Sequence, residues 1–170
     1  CVYNDLDEQK TQALAGSDPL GLEVQVTAWT YANEKDKYGQ ILFKKYKIIN
    51  KSGVDITDMY LAQWSDPDIG YYGNDLVGCD TLRNMGFGYN GSANDVDFAA
   101  FGMSPAAVGY DLLQGPLVDG MASEDRNKNG VDDANDYGQQ NFEAIGPGKI
   151  NLPMTAFGWY GAGSPVEDPV

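Results

Sequence analysis

LEVQVTAWTY, residues 22–31, decides the fold class. Leu22, Val24, Val26 and Ala28 alternate with Glu23, Gln25 and Thr27, the period of a strand with one buried face. A second β-branched and aromatic run, ILFKKYKIIN (41–50), follows it. NEKDKYG (33–39) and NKSG (50–53) supply turn residues on either side, so the two runs predict an antiparallel pair. MYLAQW (59–64) predicts a third strand, and shorter candidates stand at AAVGYDLLQG (106–115) and MTAFGWYG (154–161). Strands broken by turns at such short intervals favour an all-β or β-rich chain, an antiparallel β-sandwich-like domain, over βαβ units.

Helix is confined to short pieces. DLDEQKTQALAG (5–16) offers an Asp cap, an acidic first turn and a terminal Gly, so residues 1–20 read as an N-terminal helix or turn segment. The alternative architecture is α+β, with 7–16 and part of 95–105 helical. From Ser65 to Asn90 the chain turns to Gly, Asp, Asn and Tyr, which predicts a long ordered loop. A second acidic, Asn- and Gly-rich insertion spans 119–140, and GAGSPVEDPV (161–170) reads as an exit tail. A length of 170 residues suits a single module.

The net charge of −14 repels phosphate backbones and anionic lipid, which argues against nucleic acid and membrane surfaces as partners. No stretch approaches the ~20 apolar residues of a membrane span. His is absent, removing the commonest general base and transition-metal ligand, so zinc, haem and Ser-His-Asp chemistry are disfavoured. Cys1 and Cys79 lack a CxxC spacing; they could form one disulfide or stand as two unrelated thiols. The start at Cys1 rather than Met suggests a targeting segment upstream, and hence a fragment of a larger protein.

Clustered carboxylates in a chain this acidic call for a counter-ion, and the sharpest motif supplies one. DRNKNGVDDAND (125–136) puts oxygen-bearing side chains at positions 1, 3, 5, 9 and 12 of a loop with Gly at position 6, the spacing of an EF-hand calcium loop. The expected ligands are Asp125, Asn127, Asn129, the Val131 carbonyl, Asp133 or its neighbour Asp132 directly or through water, and Asp136. Calcium takes 6–8 hard oxygen ligands, which explains so many donors in one turn. Position 12 is Asp136 instead of the longer Glu, and no amphipathic helices flank the loop, so an isolated loop is expected. A solvated polar turn is the plainer alternative.

SDPDIGYYGNDLVGCD (65–80) gathers Asp66, Asp68, Asp75 and Asp80, a second place where Ca²⁺ could be wrapped or where Asx turns simply face solvent. Paired carboxylates also serve glycoside hydrolysis. Here Asp far outnumbers Glu and sits in turns, and nothing singles out an acid with a raised pKa, so no catalytic residue is assigned and no enzyme is expected. Trp29, Tyr31, Tyr71, Tyr72, Trp159 and Tyr160 could form aromatic platforms for a glycan or a protein, or be ordinary core.

The strings KKYKIINKS, QWSDPDIG with LVGCDT, and LPMTAFGWY, set within a match over most of residues 3–160, resemble a family of large secreted proteins from Bacteroidota and related bacteria that carry type IX secretion sorting domains. The resemblance implies an extracellular or cell-surface location, modular β architecture and a shared loop shaped by Asp66, Asp68 and Asp80. It carries over no catalytic residues. The expected function is therefore a non-catalytic, calcium-stabilised structural or adhesive module of a surface layer, filament or matrix, contacting neighbouring modules or copies of itself. A carbohydrate-binding module of a secreted hydrolase, with a glycan as partner, is the alternative.

Overall fold

The structure is a computed structural model that describes residues 1–32 and 35–161. The exit tail expected at 161–170 lies, beyond Gly161, outside the described residues, as do residues 33 and 34 of the turn expected before the second strand. Contacts divide the chain into two units, Cys1–Ala62 and Gln63–Gly161. Every strand pair is antiparallel and the fold is β-rich, of the β-sandwich-like class that the period-2 segments predicted.

The first unit holds β1 (Val2–Asn4), α1 (Glu8–Ala15), β2 (Leu22–Trp29), a 3-10 turn (Lys37–Gln40) and β3 (Phe43–Asn50), with sheet order β1-β2-β3. Asp7 caps α1 by accepting the Lys10 N–H, and Gly16 ends it in the left-handed region at φ 64°, both as the sequence predicted. The Asp5 carboxylate accepts the backbone N–H groups of Leu20, Gly21 and Leu22, at 2.6, 3.1 and 2.8 Å, and so fixes the entry into β2. Leu22 pairs with Asn50 and Trp29 with Phe43, so the two runs recognised in the sequence form one continuous ladder. The third strand expected at 59–64 is irregular instead. Tyr60 there is 88% exposed, and among the described residues no strand pairs with the segment.

The second unit holds β4 (Asp75–Asp80), β5 (Met85–Asn90), α2 (Val96–Ala99), β6 (Ala107–Asp111), β7 (Leu117–Asp119), β8 (Gly138–Gln140), β9 (Glu143–Ile145) and β10 (Lys149–Asn151). Its sheets have the orders β4-β5-β6, β10-β7 and β8-β9. Much of the long loop expected over 65–90 is therefore a hairpin. The signal was hidden because glycines occupy strand positions that neighbouring rings fill. Gly78 pairs with Phe87, and a Cβ on Gly78 would lie 2.5 Å from the Phe87 ring; one on Gly86 would lie 2.6 Å from that of Phe157. Residues 154–161, expected as a strand, are irregular and contribute rings: Phe157 over Gly86, and Tyr160 stacked on Trp64 at 5.6 Å. Ile69 and Ile150 are the buried hydrophobic side chains among the described residues, Ile150 fully so. Cys1 and Cys79 are free thiols.

Candidate metal centre

The acidic loop 125–136 leaves from β7 and returns into β8, and it is fastened where it meets the β10-β7 sheet. Gly120 N–H donates to the Gly148 carbonyl and Gly148 N–H to the Asp136 carbonyl, each at 2.9 Å. Lys149 pairs with Asp119, holding the Asp119 carboxyl below its ordinary range. A Cβ on Gly120 would lie 2.1 Å from the Asp133 carbonyl oxygen, so the chain passes the loop at backbone contact.

Within the loop, Asp125 organises the turn. Its carboxylate accepts the Asn129 N–H at 3.0 Å and the Gly130 N–H at 2.9 Å, drawing the turn around itself, and Gly130 sits at φ 88°. Asn127 and Asn129 then point to one place: their Nδ2 groups both donate to Asp136 Oδ2, at 2.7 and 2.8 Å. Positions 3, 5 and 12 thus meet at a single carboxylate oxygen, where the partly positive amide groups stand in for a cation. The amide oxygens face backbone instead, Asn127 Oδ1 accepting from Asn129 N–H and Asn129 Oδ1 from Val131 N–H. In this arrangement the amides bring nitrogen, not oxygen, to that point; a hard cation there would require both amides to turn over and release the Asn129 and Val131 N–H groups that their oxygens now accept. Asp136 is buried, and the Asn127 amide, with the Tyr137 N–H, holds its carboxyl below the ordinary range.

Asp133, expected at position 9, is turned away from the other donors. Fully buried, it accepts the Arg126 backbone N–H through Oδ1 at 3.0 Å and Arg126 Nε through Oδ2 at 2.6 Å. Burial pushes its pKa up, but the hydrogen bonds and charge of Arg126 outweigh that and leave it lowered. Asp132 accepts the Ser123 and Ala134 N–H groups and is equally committed. Position 9 would therefore be served by water, as in many such loops.

The segment 65–80 does not assemble in the same way. Asp75 and Asp80 stand at opposite ends of β4, roughly 16 Å apart at the rise of a strand, too far to share one ion. Asp80 accepts the Leu82 and Arg83 N–H groups and pairs with the Arg83 guanidinium, which holds its carboxyl low. It is the capping group of the β4–β5 turn. Asp75 Oδ2 accepts the Ile69 N–H at 2.9 Å, while Asp66 and Asp68 are exposed. Among the described residues no three carboxylates or thiols gather around one point.

Sequence reasoning missed Asp95, the carboxylate that organises this end of the second unit. It is 2% exposed; Oδ1 accepts the Asp97 and Phe98 N–H groups at the start of α2, and Oδ2 accepts the Tyr71 N–H and the Asn90 amide. The Phe98 N–H leads in holding its pKa below the ordinary range. A Cβ on Gly70 would lie 2.2 Å from Asp95 Oδ1, so Gly70 is required for the approach. The signal was an Asp directly before a short apolar run, the pattern of a helix cap. Four donors saturate this carboxylate.

No family model matches the chain, nor does any curated protein or solved structure.

Proposed function

We propose that this chain is a non-catalytic, calcium-stabilised module of a secreted bacterial surface protein, with a structural or adhesive role in a surface layer, filament or matrix. The observation that carries the reading is the meeting of Asn127 and Asn129 at Asp136 Oδ2, with Asp125 closing the turn. On a turn of both amides, the Asn127 and Asn129 oxygens would join those of Asp125 and Asp136 around one hard cation. Secretion and surface location are supported by the resemblance read from the sequence. The loop returns directly into β8, so ordering it by calcium would order the β7–β8 connection. Isothermal titration of calcium into the chelated chain tests the reading: one site is expected, lost on Asp125→Ala, and no binding heat up to millimolar calcium would refute it.

A glycan-binding role is the second reading, favoured by one feature of the first unit. Tyr31, Asp36, Tyr38 and Phe43 line a groove of about 480 Å³, with Tyr31 edge-on to both other rings at 5.7 and 6.2 Å. Aromatic walls beside a carboxylate suit a sugar's C–H face and hydroxyls. Glycan-array binding lost on Tyr38→Ala would move the assignment to this reading.

A further inference from the structure

β3 lies at the outer edge of the β1-β2-β3 sheet, with no strand beyond it among the described residues. Eight residues of open edge are a template for another chain unless something blunts them. One face of the sheet is only partly covered among the described residues. Cross-strand register places Tyr3, Val24 and Ile48 in one row and Val26 and Tyr46 in the next, and Tyr3, Tyr46 and Ile48 remain 50%, 43% and 38% exposed. A three-stranded sheet needs such a face buried to be stable.

Charge indicates what comes to this edge. Residues 1–62 carry 7 Lys against 9 acidic residues, whereas 63–161 carry 4 basic against 14 acidic. The basic residues are further concentrated in FKKYKIINK, where Lys44 and Lys47 have no acidic partner among the described residues. Two β3 edges brought together would set lysine against lysine, which disfavours a symmetric dimer. An acidic surface meets no such penalty, and a second copy brings one in its own 63–161 unit.

We infer that copies of this chain associate heterologously, the lysine-bearing edge of β3 in one copy receiving the acidic 63–161 unit of the next. A contact between unlike surfaces leaves each copy with one of each still open, so it propagates as a chain of modules. The inference rests on the reading of the protein as a structural building block and names the surface it would use.

The test is sedimentation velocity on the 170-residue chain at about 0.01 M and about 1 M salt, where screening is weak and strong respectively. Concentration-dependent growth at low salt, lost at high salt and weakened more than about tenfold by Lys44→Glu with Lys47→Glu, is expected. Carbodiimide cross-linking of mixed isotope-labelled and unlabelled copies should join Lys44 or Lys47 to carboxylates within 63–161. A strict monomer at low salt, association indifferent to the charge reversal, or cross-links confined to β3 against β3 would overturn the inference. Calcium titration of the same double variant separates the two ideas, since a retained calcium site with lost association leaves the metal reading standing. Should the reversal prevent folding, Lys44→Gln with Lys47→Gln gives the same comparison, with weaker association expected and unchanged association overturning.

Discussion

Arg126 holds Asp133 twice, its backbone N–H donating to one carboxylate oxygen at 3.0 Å and its Nε to the other at 2.6 Å. Asp133 is fully buried, so this one cation keeps a charge inside the loop. Arg126→Gln removes the charge and leaves burial, which favours the neutral carboxyl, as the dominant influence. The variant should melt several degrees lower at neutral pH, and the gap from the unaltered chain should narrow on acidification, as Asp133 becomes neutral in both. Parallel pH-resolved melting curves measure both; superimposable curves would show that the pair is without consequence.

Asp136, like Asp95, has a lowered folded pKa, through the Asn127 amide first in one case and the Phe98 N–H first in the other. Each is less readily protonated in the folded state. Their contribution to stability is therefore fully present above the ordinary Asp value of ~3.9 and is lost as pH falls below it toward the lowered folded values. Acid titration followed by circular dichroism should show stability level near neutrality and falling steeply below that range. Asp95→Asn should flatten part of the fall while lowering stability at pH 7.

Calcium should raise the melting temperature by mass action, with about 1.4 kcal/mol gained at tenfold excess over Kd. A chelated and a calcium-loaded sample of the same preparation suffice for the comparison. Asp136→Asn should abolish most of the difference.

Asn129→Asp offers a sign reversal that a plain polar turn would not produce. Without calcium it removes an amide donor from Asp136 and sets two carboxylates together, so stability should fall. With calcium it adds a charged ligand, and affinity should rise by about tenfold. Destabilisation of equal size in both conditions would count against a metal at this loop.

Ile150 is fully buried, and Gly138 lies against its backbone, a Cβ there falling 2.2 Å from Leu117 Cδ1 and 3.1 Å from the Ile150 carbonyl carbon. Ile150→Ala should cost about 2–5 kcal/mol. Because β10 pairs with β7, from which the loop departs, calcium should recover part of that loss in a melting assay.

Several features were legible from residue order because their causes are local. The alternation in 22–31 and the β-branched run in 41–50 dictate paired strands, Asp7 and Gly16 bound a helix through their own backbone preferences, and the spacing of Asp125, Asn127, Asn129, Gly130 and Asp136 folds the turn that brings those donors together. Other features depend on residues far apart in the chain. Gly78, Gly86 and Gly88 read as loop until Phe87, Phe157 and Ile69 are seen to fill the space above them. MYLAQW has strand composition, but a strand exists only with a neighbour to accept its hydrogen bonds, and among the described residues none does. Spacing qualifies Asp133 as a ligand, yet once it is buried beside Arg126 a guanidinium at 2.6 Å outcompetes the loop interior for its oxygens. The sequence by itself therefore determined the strand-rich class and the candidate ion loop, since both arise from periodicity and short-range turn chemistry. Tertiary structure alone decided which carboxylates remain available and which strand is left as an open edge, because both depend on what the fold places against each group.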